Sequence, residues 1–460
     1  MNGRTGYLAF ALCCALVLQV HVWLVTHGTY ALAALEDHAQ FYDALADSLV
    51  EGRLDVPAET LGDEAIEVDG RYYGYFGPTP ALPRIVLNAL WPAMHGRWSR
   101  AMLLGCALGQ LLLLAWLLRC RGVSLGRPLA VGFLVTVGLG STQSFVSARA
   151  FLYHEAIAWG ALLTIACACA LLRAVERPES LMPAAVAGAC AVGALLARVS
   201  TGGAAVAACL VVAAAPGRAT RGQRIVLLMA IVGAVGAYLA LNQARFGAAL
   251  DGAPVERTQT YVKYPDRLRR IEGRKLHPQN ALFLAVEYLG PTRLRFRVGF
   301  PWIAFPDPPW SGRAPERFDL VEPHASLTAT SPALVVLAVI GLLGRATDRA
   351  SRRIALVLLF PLPLMLAFAC LSHRYLHDLL PVLAVAGALG VAACPPLDPA
   401  RRVLIAGLVA WSVVACVSLA AVFQREIIWG VSIDSKAQWL ELRRRVDALT
   451  GAPRPTPYDR

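Results

Sequence analysis

An acidic pair, Glu36-Asp37, a histidine–acid pair, His154-Glu155, and three arginines, Arg149, Arg198 and Arg374, stand at the edges of long apolar runs. A carboxylate held where water is scarce gains basicity and can take a proton from an acceptor hydroxyl. A guanidinium at such a boundary can grip a phosphate through paired hydrogen bonds, and Arg374 has His373 and Tyr375 beside it. Each group also has a plainer reading. The acids can mark and solvate the end of a span, Glu155 suits the first turn of a helix through its dipole, and the arginines can snorkel to the interface. Neither Glu36-Asp37 nor His154-Glu155 forms a recognised metal motif, so no metal and no cofactor is expected. Catalytic triads, reactive cysteine arrangements, dinucleotide fingerprints, Walker-type phosphate loops and internal repeats are absent from the sequence.

The elements that must hold these residues are membrane helices. Of 460 residues 57% are hydrophobic and 16% charged, a balance that makes the bilayer the main solvent. The eleven cysteines fall in or beside apolar runs, where they pack as small apolar side chains, and no disulfide framework is expected. Stretches long enough to cross roughly 30 Å of hydrocarbon fall near 7–27, 100–118, 128–148, 155–175, 181–197, 200–216, 224–243, 327–344, 354–371, 375–394 and 403–423. The fold class expected is an all-α polytopic membrane protein of about 11 transmembrane helices with large extracytoplasmic loops. The formal charge of +12 sits mostly in short connections, which argues for membrane topology and against nucleic acid as a partner. Arg119, Arg121 and Arg127, Arg173 and Arg177, Arg218, Arg221 and Arg224, Arg345 to Arg353, and Arg401 with Arg402 occupy alternate connections. The positive-inside rule then puts the amino terminus in the cytoplasm and the carboxyl terminus outside an inner (plasma) membrane. Residues 1–423 form the multi-span domain with outer loops 28–99 and 244–326, and 424–460 is an outer tail.

The first outer loop reads, after its acids, FYDALADSL, then GR, then DGRYYGYFGPTPAL. Leu45, Ala46 and Leu49 are spaced as the apolar face of a short helix lying along the membrane. A turn at Asp69-Gly70 leads into an aromatic strip that includes Tyr73, for which an interfacial aromatic belt is the plainer reading. Loop 244–326 is basic with interleaved aromatics, fitting either a lid over anionic groups or an interfacial segment resting on anionic lipid.

This order of motifs, with Asn242 to Gly247 and Arg374-Tyr375-Leu376-His377-Asp378 further on, resembles the superfamily C membrane glycosyltransferases (GT-C), such as protein O-mannosyltransferases and lipid A aminoarabinose transferases. The resemblance implies inverting transfer of a sugar from a polyprenyl-phosphate donor to a lipid, glycan or protein acceptor at the extracytoplasmic face. It makes an acid of the first loop the general base, with Asp37 the best match and Glu36 its neighbour. Such a transfer needs cations where charge grows on the departing lipid phosphate. Arg149, Arg198 and Arg374 are the candidates, and His154, Glu155, His373, Tyr375 and Tyr73 are further candidates for contact with substrate. The sequence departs from the pattern in carrying Glu-Asp and Gly-Pro-Thr-Pro where relatives have Asp-Glu and Lys-Pro-Pro. The competing class is a polytopic transporter or flippase of a lipid-linked saccharide, which places its charges near the bilayer midplane.

Overall fold

In hydrocarbon every backbone N–H and C=O must find a partner within the protein, so apolar stretches of this length fold as helices. The computed structural model describes residues 3–36, 38–215, 219–250, 252–292, 294–306, 314–425 and 433–452. Each expected apolar segment is mainly helical there. Thr5–Val25, Ser99–Cys120, Leu152–Glu176, Arg221–Phe246, Arg349–Ala367, His373–Ala393 and Pro399–Phe423 are long and apolar enough to cross a membrane. Pro128–Gly138, Met182–Leu195, Val199–Ala214 and Pro332–Leu343 are apolar but have only 10–17 residues. The chain is a polytopic membrane protein, and against about eleven expected crossings seven helices among the described residues meet the length and hydropathy of a span.

Several expected spans are interrupted, each for a visible reason. The segment 128–148 is two helices, Pro128–Gly138 and Thr142–Ser147, because an extended Ser141 turns its hydroxyl onto the Gln143 N–H and caps a new start. After helix Pro361–Ala367 the chain forms a strand, Cys370–Leu371, then a 3₁₀ turn, His373–Leu379, before helix Leu380–Ala393. Such irregular backbone needs protein partners. The short strand Leu320–Val321 supplies them in parallel register, Leu320 to Cys370 and Val321 to Leu371. The two interruptions meet where the Thr142 hydroxyl lies 3.1 Å from His377 Nδ1.

The first long connection holds helix Phe41–Val50, a hairpin of Ile66–Val68 with Arg71–Tyr73, and helix Leu82–Leu90. Positive φ at both Asp69 and Gly70 gives the hairpin the two-residue turn that matches strand twist. Phe41, Tyr42, Leu45 and Ala46 are buried against Leu61, Phe76, Leu152 and Ala156. That face of the helix, expected to lie along the membrane, covers protein instead. The second connection carries helices Gln259–Lys263, Pro265–Arg270 and Ala281–Leu289 and a hairpin of Arg295–Phe296 with Ile303–Ala304. Within the tail, helix Ile433–Thr450 seats its buried Trp439 against Trp23 and Phe300.

Helices Pro332–Leu343 and Leu380–Ala393 approach backbone to backbone. A Cβ on Gly341 would run into the carbonyl oxygen of Ala386, and one on Gly390 into that of Leu337. Small residues permit such close packing where helices share an apolar solvent. Gly341→Ala is therefore expected to lower the thermal midpoint of the purified protein in detergent, with an overpacking cost of about 1–3 kcal/mol. Gly236→Ala, where a Cβ meets nothing within 4 Å, should stay within about 0.5 kcal/mol of the parent. Equal midpoints for the two variants would contradict this packing.

Candidate functional site

Three charged side chains that see no water tie the first connection to the helical bundle. Arg84, on helix Leu82–Leu90, donates from Nε to Asp43 Oδ2 at 2.9 Å. Its Nη1 and Nη2 reach Glu155 Oε1 and Oε2 at 2.6 and 2.8 Å. Nη1 also donates to the Pro80 carbonyl and Nη2 to the Ser99 hydroxyl, so all five guanidinium N–H groups are used. Burial alone would favour the neutral form of Arg84, but Glu155 and then Asp43 override it and hold the guanidinium above its ordinary pKa. Glu155, in the first turn of helix Leu152–Glu176, thus has both oxygens engaged by Arg84.

A second group of residues gathers around the chain interruptions. Arg198 stands just before helix Val199–Ala214 and makes a side-on pair with Asp378, Nε to Oδ1 at 2.6 Å and Nη2 to Oδ2 at 2.9 Å. The Ser200 hydroxyl donates to the same Asp378 at 2.8 Å. Arg374 pairs with Glu322 at 2.7 Å. The parallel strand pairing makes that contact, since Glu322 N donates to Leu371 O and brings its side chain beside the next turn. The Arg374 guanidinium lies over the rings of Tyr153 and Tyr375, 4.4 and 5.2 Å from their centroids. Tyr75 is within electrostatic reach of Arg374, Tyr153 and Tyr375, and Arg198 is within reach of Tyr75 and Tyr375. His154 and His373 flank Phe145, with ring centroids 5.9 and 5.0 Å away, and His154 Nδ1 bonds the Arg149 carbonyl at 3.0 Å.

Arg198, Arg374, Tyr375, His154 and His373 therefore come together, and the Arg149 backbone joins them through His154. Three described candidates, Glu155, Tyr73 and Glu36, do not. Glu155 faces Arg84, and Tyr73 packs on Phe246 in a separate apolar cluster with Ile66 and Val68. Glu36 takes hydrogen bonds from Arg100 at 2.5 and 2.8 Å, with His27 at 3.8 Å. Asp37 lies outside the described residues. The adjacent His38 stands edge-on to Phe151, which in turn packs on Tyr153, so the segment borders the arginine and tyrosine group.

No protein-family model matches the chain, and no curated protein matches it. Among solved structures, it is similar to the oligosaccharyltransferase of Archaeoglobus fulgidus tethered with an acceptor peptide, with a TM-score of 0.49 and 14% identity. That alignment covers 97% of this chain and 59% of the other. The oligosaccharyltransferase from the same organism in complex with an inhibitory peptide and a dolichol-phosphate gives 0.47 and 14%, covering 97% and 60%. The chain spans about three fifths of the length of these structures.

Asp378, Glu322, Tyr75, Tyr153, Arg84 and Asp43 were not among the expected site residues. Asp378, Tyr75 and Asp43 lie within motifs that carried the resemblance, whereas Glu322 has no local signal and is defined only by strand register. Arg84→Met is expected to cost about 3–5 kcal/mol, because two carboxylates lose their shared cation inside the protein. Glu155→Gln should cost more than Asp43→Asn, since Glu155 receives two of the bonds and Asp43 one. Size-exclusion chromatography and thermal midpoints in detergent check the order. A fully stable Arg84→Met protein would show that the network is dispensable.

Proposed function

We propose that the chain is a GT-C-like membrane glycosyltransferase. In this reading it moves a sugar from a polyprenyl-phosphate donor to a lipid, glycan or protein acceptor at the extracytoplasmic face, with inversion. The observation that carries the reading is the pair of largely buried arginines, Arg198 and Arg374, each held by one carboxylate, with Arg374 also lying over the Tyr153 and Tyr375 rings. Among the described residues Arg198 bonds Asp378 through Nε and Nη2 and leaves Nη1 for a further oxyanion, and Arg374 gives Glu322 only Nη1.

The first-loop carboxylate takes the proton from the acceptor hydroxyl. The acceptor oxygen then bonds to the anomeric carbon from the face opposite the phosphate. The bond from that carbon to the phosphate oxygen breaks, and its electron pair leaves with the lipid phosphate. Arg198 and Arg374 hold the negative charge that accumulates there, an arrangement that stabilises the transition state more than the ground state. With Glu36 engaged by Arg100, we assign the base to Asp37. The donor arrives laterally from the bilayer, the amino terminus faces the cytoplasm and the long connections face outward. Sugar transfer by this scheme requires no metal.

The test is transfer of radiolabelled sugar from a mixture of polyprenyl-phosphate sugars by purified protein in lipid nanodiscs. Wild type should consume donor. Asp37→Asn should lose about 10²–10⁴-fold, the usual contribution of a general base, while keeping its thermal midpoint. Arg374→Ala should lower kcat more than Arg374→Lys, which keeps the charge. Loss confined to Glu36→Gln would move the base by one residue. No donor consumption across a broad panel of acceptors would discard the enzyme reading in favour of transport, to be followed by flux measurements.

A further inference from the structure

The second long connection contains a strap, residues 255–277, that crosses the site and is anchored on both sides. At one end a bridge joins Ile66 and Thr258, Gln259 N donates to Ala65 O, and Lys263 pairs with Asp63. At the other, Leu276 bridges to Phe368, Ala369 N donates to Lys275 O at 2.8 Å, and His277 N donates to Ala367 O. Tyr261 and Arg267 of the strap both bond Asp319.

The cations near the strap are mostly neutralised within the chain. Lys263 has Asp63, Arg267 has Asp319, Arg269 has Asp266, and Arg317 has Glu272. Arg257, Arg270 and Arg274 are exposed to solvent. Lys275 differs from both sets. It is half-buried, forms no ion pair among the described residues, and sits 5.2 Å from the Tyr75 ring centroid and 5.7 Å from that of Tyr261. Its backbone is held by the Ala369 bond, and its ammonium rests over the two tyrosine rings. The Tyr75 hydroxyl has no hydrogen-bond partner among the described residues, and the Glu64 carboxylate and the Arg374 guanidinium both lie within electrostatic reach of the same ring. An ammonium without a carboxylate partner, resting over the ring of a phenol whose O–H is unpartnered among the described residues, supplies N–H and O–H donors for an oxyanion.

The placement favours the acceptor as the source of that anion. The turn that anchors the strap, Gly62–Ala65, is also the turn against which the His38 ring rests. His38 follows the acidic pair directly, so the strap shares its anchor with the segment that carries the base in the proposed function, on which this inference rests. We propose that Lys275 and Tyr75 form an acceptor subsite that reads a carboxylate or phosphate group carried by a sugar, so that the acceptor is an anionic saccharide.

The experiment measures binding by saturation-transfer NMR and competition, with full-length protein in nanodiscs and the probes methyl glucuronide, methyl glucoside and decyl phosphate. Methyl glucuronide should bind wild type about tenfold more tightly than methyl glucoside, the scale of one charge-assisted hydrogen bond. Lys275→Gln should erase that preference, Lys275→Arg should keep most of it, and Tyr75→Phe should reduce it, all with unchanged thermal midpoints. Equal binding of the two glycosides by wild type, or a preference that survives in Lys275→Gln, overturns the proposal. So does a Lys275→Gln defect confined to decyl phosphate, which would assign the ammonium to the lipid phosphate. Donor transfer that proceeds equally well to neutral and anionic sugars defeats this inference and leaves the enzyme reading intact. A glucuronide preference lost in Lys275→Gln, without any donor consumption, supports the anion subsite and defeats the enzyme reading.

Discussion

A guanidinium with no access to water organises the first long connection. Arg84 can exist as a cation in that position only because Asp43 and Glu155 surround it and every N–H has an acceptor. A buried ion cluster of this kind contributes little net stability compared with well-packed apolar residues, but it is severe about geometry, since any displacement strands a charge. It locks helices Phe41–Val50 and Leu82–Leu90 to the first turn of Leu152–Glu176. That same first turn carries Tyr153. Residues two apart on a helix project to nearly opposite sides, so when Glu155 turns to Arg84, Tyr153 turns to Arg374. The structural cluster and the candidate site are two faces of one helical turn.

The site itself follows a related economy. Arg198 and Arg374 each keep one carboxylate, which fixes the guanidinium without using all of its donors. Both carboxylates arrive through irregular backbone: Asp378 from a 3₁₀ turn, and Glu322 from a parallel pair of two-residue strands. A continuous helix in either place would satisfy its own backbone and leave these groups a turn out of register. The interruptions are tolerated because protein, rather than lipid, supplies the missing hydrogen bonds. Close packing elsewhere, as at Gly341 and Gly390, holds the bundle rigid around them.

The aromatic strip shows how one residue of backbone changes a role. Tyr73 ends the strand of the first hairpin and packs on Phe246. At Gly74 a Cβ would meet the Phe41 ring at 2.8 Å, so the chain can pass there only as glycine, and it turns. Arg245 Nη1 then donates to the Gly74 and Phe76 carbonyls, each at 2.8 Å, and the Tyr75 ring lies beneath the Lys275 ammonium. Alternation along a strand would have put Tyr73 and Tyr75 on one face. The turn separates them.

Composition and periodicity alone determined the solvent, the helical class, the positions of the apolar segments and the residues bordering them, because hydrocarbon leaves so few ways to satisfy a backbone. They also placed Arg198, Arg374 and Tyr375 among the candidates, since polar groups at span ends are conspicuous in an apolar chain. Tertiary structure decided which of those groups share a space. Glu155 looked like a second acid of the site and belongs to Arg84; Tyr73 looked like part of it and belongs to Phe246. Asp378 reaches Arg198 across 180 positions and Glu322 reaches Arg374 across 52. No local pattern encodes such pairings, because they depend on the register of short strands, the point at which a helix breaks, and the side of a helical turn that a neighbouring charge claims.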